Sequence, residues 1–176
     1  CRHGSGYSTF VAGGEGHESE LTVFVPPDAP LELWRVTLRN TGSRARTLDL
    51  FSFFEWNLGP SPDTHREFHR LFIEPEPVPE DGAMLASKRL DTIVERGKGT
   101  PWNVPWPHVA FHGSSAPPRS WESDKTAFLG RYGALTDPEA VRRGRLDKGA
   151  GKWQDAIGSL HVEVTLAPGE EKEIAF

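Results

Sequence analysis

The sequence contains little sulfur and no long apolar run. Cys1 is the one cysteine among 176 residues, so the chain cannot form an internal disulfide or a zinc site built from several thiolates. Together with the absence of a signal-peptide pattern, this predicts a reducing, cytoplasmic location. No segment approaches the roughly 20 consecutive apolar residues of a membrane-spanning helix, so we expect no membrane partner.

The sequence also lacks an excess of positive charge. Lys and Arg number 20 against 25 Asp and Glu, which gives a formal net charge of −5. General nucleic-acid binding needs a basic surface, so we expect no nucleic-acid partner. The 18 Gly and 15 Pro indicate a fold rich in turns and strands rather than a helical bundle. The length fits a single domain over residues 1–176.

Alternation of apolar and polar residues predicts several strands. The pattern is clearest in Leu31–Arg39, Thr47–Trp56 and Ser159–Leu166. The turn Asn40–Ser43 would join the first two strands as an antiparallel hairpin. In the third strand the same alternation predicts that His161 points outward. The chain as a whole is therefore predicted to be an all-β sandwich.

Two short helical insertions interrupt the predicted strands. One or two helical turns are expected within residues 124–132. A second helix has Asp137 as its expected N-cap, Pro138 at the first helical position and Gly144 at its end. These helices are too short to change the fold class.

The segment Pro62–Glu74 is the first candidate site. It follows the break Gly59–Pro62 and carries His65, Arg66, His69 and Arg70 with aromatic residues between them. Arg offers a rigid fork of donors and His can donate or accept, so the composition is typical of polar ligand recognition. Two His are too few for a zinc site, so we expect no metal. An ordinary solvated loop explains the same residues equally well.

A second candidate is the loop that holds Trp102, Trp106 and His108. An exposed Trp is costly unless it binds a ligand or packs against other residues, and Trp is enriched at interfaces. The alternative is that both Trp residues cover the edge of the core. No arrangement of nucleophile, base and acid can be assigned from spacing, and the acidic residues between Glu74 and Asp81 are expected to be solvated.

Six stretches together resemble one known family. The resemblance covers nearly the whole chain and is to the N-terminal β-sandwich domain of the glycoside phosphorylases of glycoside hydrolase family 94. That group includes cellobiose phosphorylase, and a related module belongs to cyclic β-1,2-glucan synthases. The stretches are Cys1–Ser8, Val23–Pro26, Leu33–Asn40, Leu50–Trp56, Ala127–Gly133 and Leu166–Glu170.

The resemblance implies a super-sandwich of two large antiparallel sheets, similar to the galactose mutarotase fold. It implies that the first strands of the domain precede Cys1, so that the chain is a fragment truncated at its N-terminus, and that a catalytic (α/α)6 barrel follows residue 176. Family members cleave a β-glucosidic bond with inorganic phosphate and invert the anomeric centre. Because their general acid lies in the barrel, this domain should itself contain no catalytic residue. Phosphate would be a co-substrate and no cofactor is expected.

The resemblance also implies a role for the first candidate site. In cellobiose phosphorylases a Phe-Gln-Arg stretch of the sandwich crosses the dimer and lines the acceptor end of the partner's active site. Phe68, His69 and Arg70 resemble this stretch, with His in place of Gln. The implied partners are the chain's own barrel, a second copy in a homodimer, and β-linked glucosides or oligosaccharides.

Two alternatives share the predicted fold. The chain could be a structural or carbohydrate-binding module whose loop touches no substrate. It could also be a mutarotase-like epimerase, which would need a catalytic His and a carboxylate on the concave face of a sheet.

Overall fold

The computed structural model describes residues 1–59, 70–89 and 105–176. The chain divides into two compact units. Unit 1 comprises Cys1–Leu50, Ser114–Pro117 and Val162–Phe176, and unit 2 comprises Phe51–Gly113 and Pro118–His161. The predicted all-β, antiparallel fold with short helical insertions is confirmed.

The strands described are, in chain order, β1 Arg2–Gly4, β2 Tyr7–Gly14, β3 His17–Phe24, β4 Leu33–Asn40, β5 Arg46–Phe51, β6 Phe54–Glu55, β7 Ile73–Val78, β8 Ala83–Lys88, β9 Ala110–Gly113, β10 Ser120–Asp124, β11 Ala156–Leu166 and β12 Glu171–Ala175. The short helices described are α1 Lys125–Leu129 and α2 Glu139–Arg143, with 3-10 turns at Arg70–Phe72 and Pro79–Asp81.

Unit 1 contains a five-stranded sheet in the order β1-β2-β3-β4-β12, and each neighbouring pair is antiparallel. Because side chains alternate along a strand, one face of β4 carries Val36 and Leu38 and the other carries Arg35, Thr37 and Arg39. The first face packs into an aliphatic core, which is built from Val36, Leu38, Val162, Val164, Leu166 and Ile174.

The predicted hairpin between Leu31–Arg39 and Thr47–Trp56 is wrong. β4 pairs with β3 and β12, whereas β5 lies beside β11 in another sheet. The chain turns between the two sheets at Asn40, whose side chain is fully buried. Its amide nitrogen donates to the carbonyl oxygens of Arg44, Leu166 and Ala167, and its amide oxygen accepts from Gly42 N–H. These bonds satisfy backbone carbonyl and N–H groups at the corner. In a two-strand hairpin, pairing between the strands would have satisfied such groups.

The remaining strands form two smaller sheets, so the described strands lie in three sheets. One has the order β10-β11-β5, with β6 also paired to β11, and the other has the order β7-β8-β9. Unit 2 packs two apolar clusters, which are centred on Trp56, Ile73, Met84, Ala86 and Ala156 and on Phe128, Ala140, Leu146 and Ile157.

The outward orientation predicted for His161 is wrong. Its side chain is buried, stacks on Phe51 with ring centroids 4.4 Å apart, and lies 3.1 Å from Ser120 Oγ through Nδ1. Residues 156–162 of β11 are all buried. In a strand that is covered on both faces, alternation of residue type no longer separates buried from exposed positions. The period-two pattern therefore predicted the wrong environment for His161.

Both predicted helices are present with adjusted ends. α1 begins after Asp124, whose carboxylate accepts from Thr126 N–H at 3.0 Å. α2 has Pro138 rather than Asp137 as its N-cap residue, and ends at Gly144 with φ of 67°. Pro138 has an extended backbone, so the helix begins one residue later than predicted.

Candidate functional site

Two of the seven predicted site residues lie in the described part of the chain. These are Arg70 and Trp106. The other five lie outside the described residues, and they are His65, Arg66, Phe68, His69 and Trp102.

Arg70 is the first residue of the 3-10 turn Arg70–Phe72 and forms ion pairs with two carboxylates of unit 2. Its Nη1 contacts Glu55 Oε2 and lies 3.1 Å from Asp155 Oδ1. Lys125 binds the same two carboxylates, with Nζ 2.7 Å from Glu55 Oε1 and 3.7 Å from Asp155 Oδ2. The four side chains form a closed network of two cations and two anions, here called the ion cluster.

Three elements bring the ion cluster together. Glu55 belongs to the short strand β6, where it pairs with Ile157 of β11. Asp155 directly precedes β11, and its carbonyl oxygen accepts from Lys125 N–H at 3.0 Å. Lys125 is the first residue of α1. Backbone contacts therefore hold Glu55, Lys125 and Asp155 near one another without a contribution from Arg70.

The arrangement orients Arg70 without enclosing it. The Arg70 side chain keeps 35% of its surface exposed, against 24% for Glu55 and 27% for Lys125. A guanidinium has five N–H donors, so two carboxylate contacts leave donors for a further ligand. The ion cluster thus holds a partly exposed guanidinium that has N–H donors beyond those used by the two carboxylates.

Arg70 was predicted from the sequence, whereas its neighbours Glu55, Asp155 and Lys125 were not. A signal for Glu55 was present, because this charge stands between two large apolar residues, Phe54 and Trp56, in a predicted strand. A charge in such a strand requires an opposite charge or a hydrogen-bond partner. Asp155 and Lys125 carry no comparable signal, since each is ordinary for a loop or a helix end.

Trp106 is only partly buried. Its ring lies edge-on to His108 at 5.3 Å between centroids, and its backbone N–H donates to the carbonyl of Lys88. The turn that begins at Arg70 carries another aromatic pair, since Phe72 contacts Trp153 edge-on at 5.5 Å. Trp153 is 63% exposed.

Two histidines of unit 2 are buried among strands. His112 Nε2 lies 2.7 Å from Ser52 Oγ, which accepts from Leu160 N–H. Burial lowers the pKa of His112 to about 4, so its imidazole is neutral at pH 7. His161 is enclosed by Phe51 and Ser120 as described above. Neither side chain is accessible to a substrate, so neither is the catalytic histidine that an epimerase would need.

Two features are absent from the described residues, a metal-binding cluster and a membrane-spanning helix. Within residues 1–59, 70–89 and 105–176 there is no group of three His, Cys, Asp or Glu side chains that could hold a metal ion. Over the same residues, no helix has the length and hydropathy required to cross a bilayer.

Comparison with known proteins assigns the family. Residues 1–176 match the family described as Glycosyl hydrolase 94, supersandwich domain. The chain is 32% identical over 174 residues to the solabiose phosphorylase of Paenibacillus borealis, covering 97% of this chain and 21% of that protein. It is 28% identical over 175 residues to the N,N'-diacetylchitobiose phosphorylase of Vibrio proteolyticus, covering 99% of this chain and 20% of that protein.

A third relative is a synthase. The chain is 28% identical over 177 residues to the cyclic beta-(1,2)-glucan synthase of Rhizobium meliloti (strain 1021), covering 99% of this chain and 6% of that protein. The chain spans about a fifth of the length of the two phosphorylases. Because the family match extends over every residue, the chain belongs to the supersandwich domains of glycosyl hydrolase family 94.

Proposed function

We propose that this chain is the non-catalytic sandwich domain of an inverting β-glucoside phosphorylase and that it supplies dimer contacts and an acceptor-side loop. The matching relatives include several phosphorylases, and each is much longer than this chain. The additional length is consistent with a separate catalytic part, for which we propose an (α/α)6 barrel. Inorganic phosphate would be the co-substrate and a second copy of the protein the dimer partner.

The loop proposal rests on the ion pairs and the partial exposure of Arg70. This residue ends the predicted acceptor stretch, and Glu55 and Asp155 hold its guanidinium in one orientation while leaving it partly exposed. A pre-oriented donor loses less conformational freedom when it binds a sugar hydroxyl. We therefore assign Arg70, with Phe68 and His69, to recognition of the acceptor sugar in the neighbouring subunit.

The same observation favours a second candidate function. Two ion pairs are a sufficient structural reason for Arg70 to be present, and in that case the domain would be a scaffold without substrate contact. Lys125 offers a matched control, because it binds the same two carboxylates but lies outside the predicted acceptor stretch.

The test measures kinetics of the full-length protein in the synthetic direction, with a sugar 1-phosphate donor and a varied acceptor. Arg70→Ala should raise the KM for the acceptor by about tenfold, because a hydrogen bond from a charged donor is worth about 1.5–3 kcal/mol. Lys125→Ala should change this KM far less than Arg70→Ala does, because both carboxylates that bind Arg70 remain in place. If the two variants lose similar stability and neither alters the acceptor KM, the scaffold function is correct.

A further inference from the structure

The five-stranded sheet of unit 1 has a groove on the face opposite to its aliphatic core. The groove has a volume of about 520 Å3, within the range of about 300–1,000 Å3 found for small-molecule sites. Its lining residues are Arg2, Gly6, Tyr7, Thr9, Glu20, Thr22, Phe24 and Arg35. We call it the sheet groove.

Strand register explains how the sheet groove is built. Arg2 lies opposite Thr9, Thr9 opposite Thr22, and Thr22 opposite Arg35, so these four residues form one row across β1, β2, β3 and β4. The two threonines form the floor and are 5% and 7% exposed, with their hydroxyl oxygens 3.2 Å apart. An arginine stands at each end of this floor.

An aromatic row borders the floor on one side. Tyr7 and Phe24 lie directly opposite each other on β2 and β3. Gly4 pairs with Tyr7 across the β1–β2 hairpin, and a Cβ at Gly4 would lie 2.2 Å from the Tyr7 ring. The absence of a side chain at Gly4 therefore allows the ring to lie against the backbone of β1. Tyr7 remains 49% exposed, so its ring is available to a ligand.

The charges around the sheet groove are balanced. Arg2 Nη2 lies 3.3 Å from Oε2 of Glu20, which lines the groove. Arg35 Nε lies 3.7 Å from Glu173 Oε2. An anion entering the groove would meet the carboxylate of Glu20, so the groove disfavours anionic ligands. Each guanidinium keeps N–H donors beyond its ion pair, and Glu20 offers acceptor oxygens.

A neutral saccharide matches this set of groups. Its apolar C–H face can pack against an aromatic ring, and its hydroxyls can both accept from guanidinium N–H and donate to a carboxylate. We propose that the sheet groove binds a short neutral saccharide, at a site formed by Tyr7, Phe24, Arg35 and Glu20. This site shares no residue with the ion cluster and does not depend on the function proposed for Arg70.

The experiment is calorimetric titration of cellobiose into the full-length protein in phosphate-free buffer. Arg35→Ala and Tyr7→Ala should each weaken one cellobiose-binding event by about tenfold in Kd, as expected for loss of a charged donor or an aromatic platform. Tyr7→Phe, which keeps the ring, should restore most of the affinity. Arg39→Ala is the matched control, because Arg39 is exposed on the same face of β4 but lies outside the groove.

The saccharide site in the sheet groove and the assignment of Arg70 to acceptor recognition can be tested separately. Arg70→Ala should retain the binding event that Arg35→Ala weakens, so either assignment can fail alone. Wild-type cellobiose binding in folded Arg35→Ala and Tyr7→Ala proteins would overturn the saccharide site. If the two variants instead weaken binding of inorganic phosphate and leave cellobiose binding intact, the groove is an anion site and the proposal is wrong.

Discussion

In unit 1 the buried core is aliphatic, whereas unit 2 encloses polar and titratable side chains among its apolar ones. The core cluster of unit 1 consists of Val, Leu and Ile side chains. Unit 2 buries Ser52, Lys88, His112, Ser120, Glu122, Ser123, Ser159 and His161. Many of these polar groups bond to one another, as Ser52 does to His112 and Ser120 to His161.

The difference shows two ways of stabilising neighbouring parts of one chain. Burial of aliphatic surface is non-directional and insensitive to pH. A buried polar network stabilises only while every member keeps its partner and its protonation state. We therefore expect unit 1 to respond to changes in side-chain volume, and unit 2 to respond to pH and to the loss of single hydrogen-bonding atoms.

The largest expected effect is in the core of unit 1. Leu166 is fully buried, so Leu166→Ala should lower the free energy of unfolding by about 2–5 kcal/mol through lost burial and a cavity. The loss should be the same at pH 7 and pH 4.5, because the core cluster contains no titratable side chain. Urea denaturation at both pH values measures this. The exposed residue Val25 supplies the control, and Val25→Ala should change stability by less than about 0.5 kcal/mol.

The second prediction concerns pH and His112. The folded-state pKa of about 4 lies below the ordinary value of 6.5, so between these values the unfolded chain binds a proton that the folded chain does not. Stability present above pH 6.5 is therefore lost as the pH falls towards 4. At pH 4.5 this amounts to about 2.5 kcal/mol.

The variant His112→Gln should remove that part of the acid loss. The quantity to compare is the difference in unfolding free energy between pH 7 and pH 4.5, which cancels any pH-independent cost of the substitution. His3→Gln is the control, since His3 is exposed in β1. An unchanged acid loss in His112→Gln would show that another group governs the pH response, and the contrast between the units would then need a different cause.

The smallest expected effect tests the buried polar pair of unit 1. Thr9→Val combined with Thr22→Val removes both hydroxyls together, so the double variant should change stability by less than about 0.5 kcal/mol. Thr9→Val alone should cost about 1 kcal/mol because it leaves one hydroxyl without its partner. Denaturation of the three proteins gives the comparison. A large loss in the double variant would contradict the view that unit 1 depends on aliphatic burial.

Sequence patterns predicted the strands whose two faces differ. β4 lies within two residues of the predicted bounds Leu31–Arg39, because its apolar and polar residues alternate as a half-buried strand requires. The patterns missed β1 and β2, whose glycines and exposed residues resemble a loop. They also failed to predict β7 as a strand, since it contains Pro75 and Pro77, which an edge strand tolerates.

The candidate site was predicted less completely than the fold. Arg70 was identified from the composition of the segment Pro62–Glu74 and from the family resemblance. Its partners Glu55 and Asp155 were not, because they lie 15 and 85 positions away in the sequence. The sheet groove escaped prediction for a related reason. Its residues come from four strands, and a row such as Arg2, Thr9, Thr22 and Arg35 exists only once the register of those strands is set.

The sequence by itself determined the fold class, the family and the approximate positions of the clearly alternating strands and of both helices, because these depend on local alternation, turn residues and ordered motifs. Only the tertiary structure decided that β4 and β5 lie in different sheets, that His112 is neutral and buried, and which charges meet in the ion cluster. Pairing, burial and charge proximity depend on contacts between residues far apart in the chain, and a local pattern carries no information about such distances.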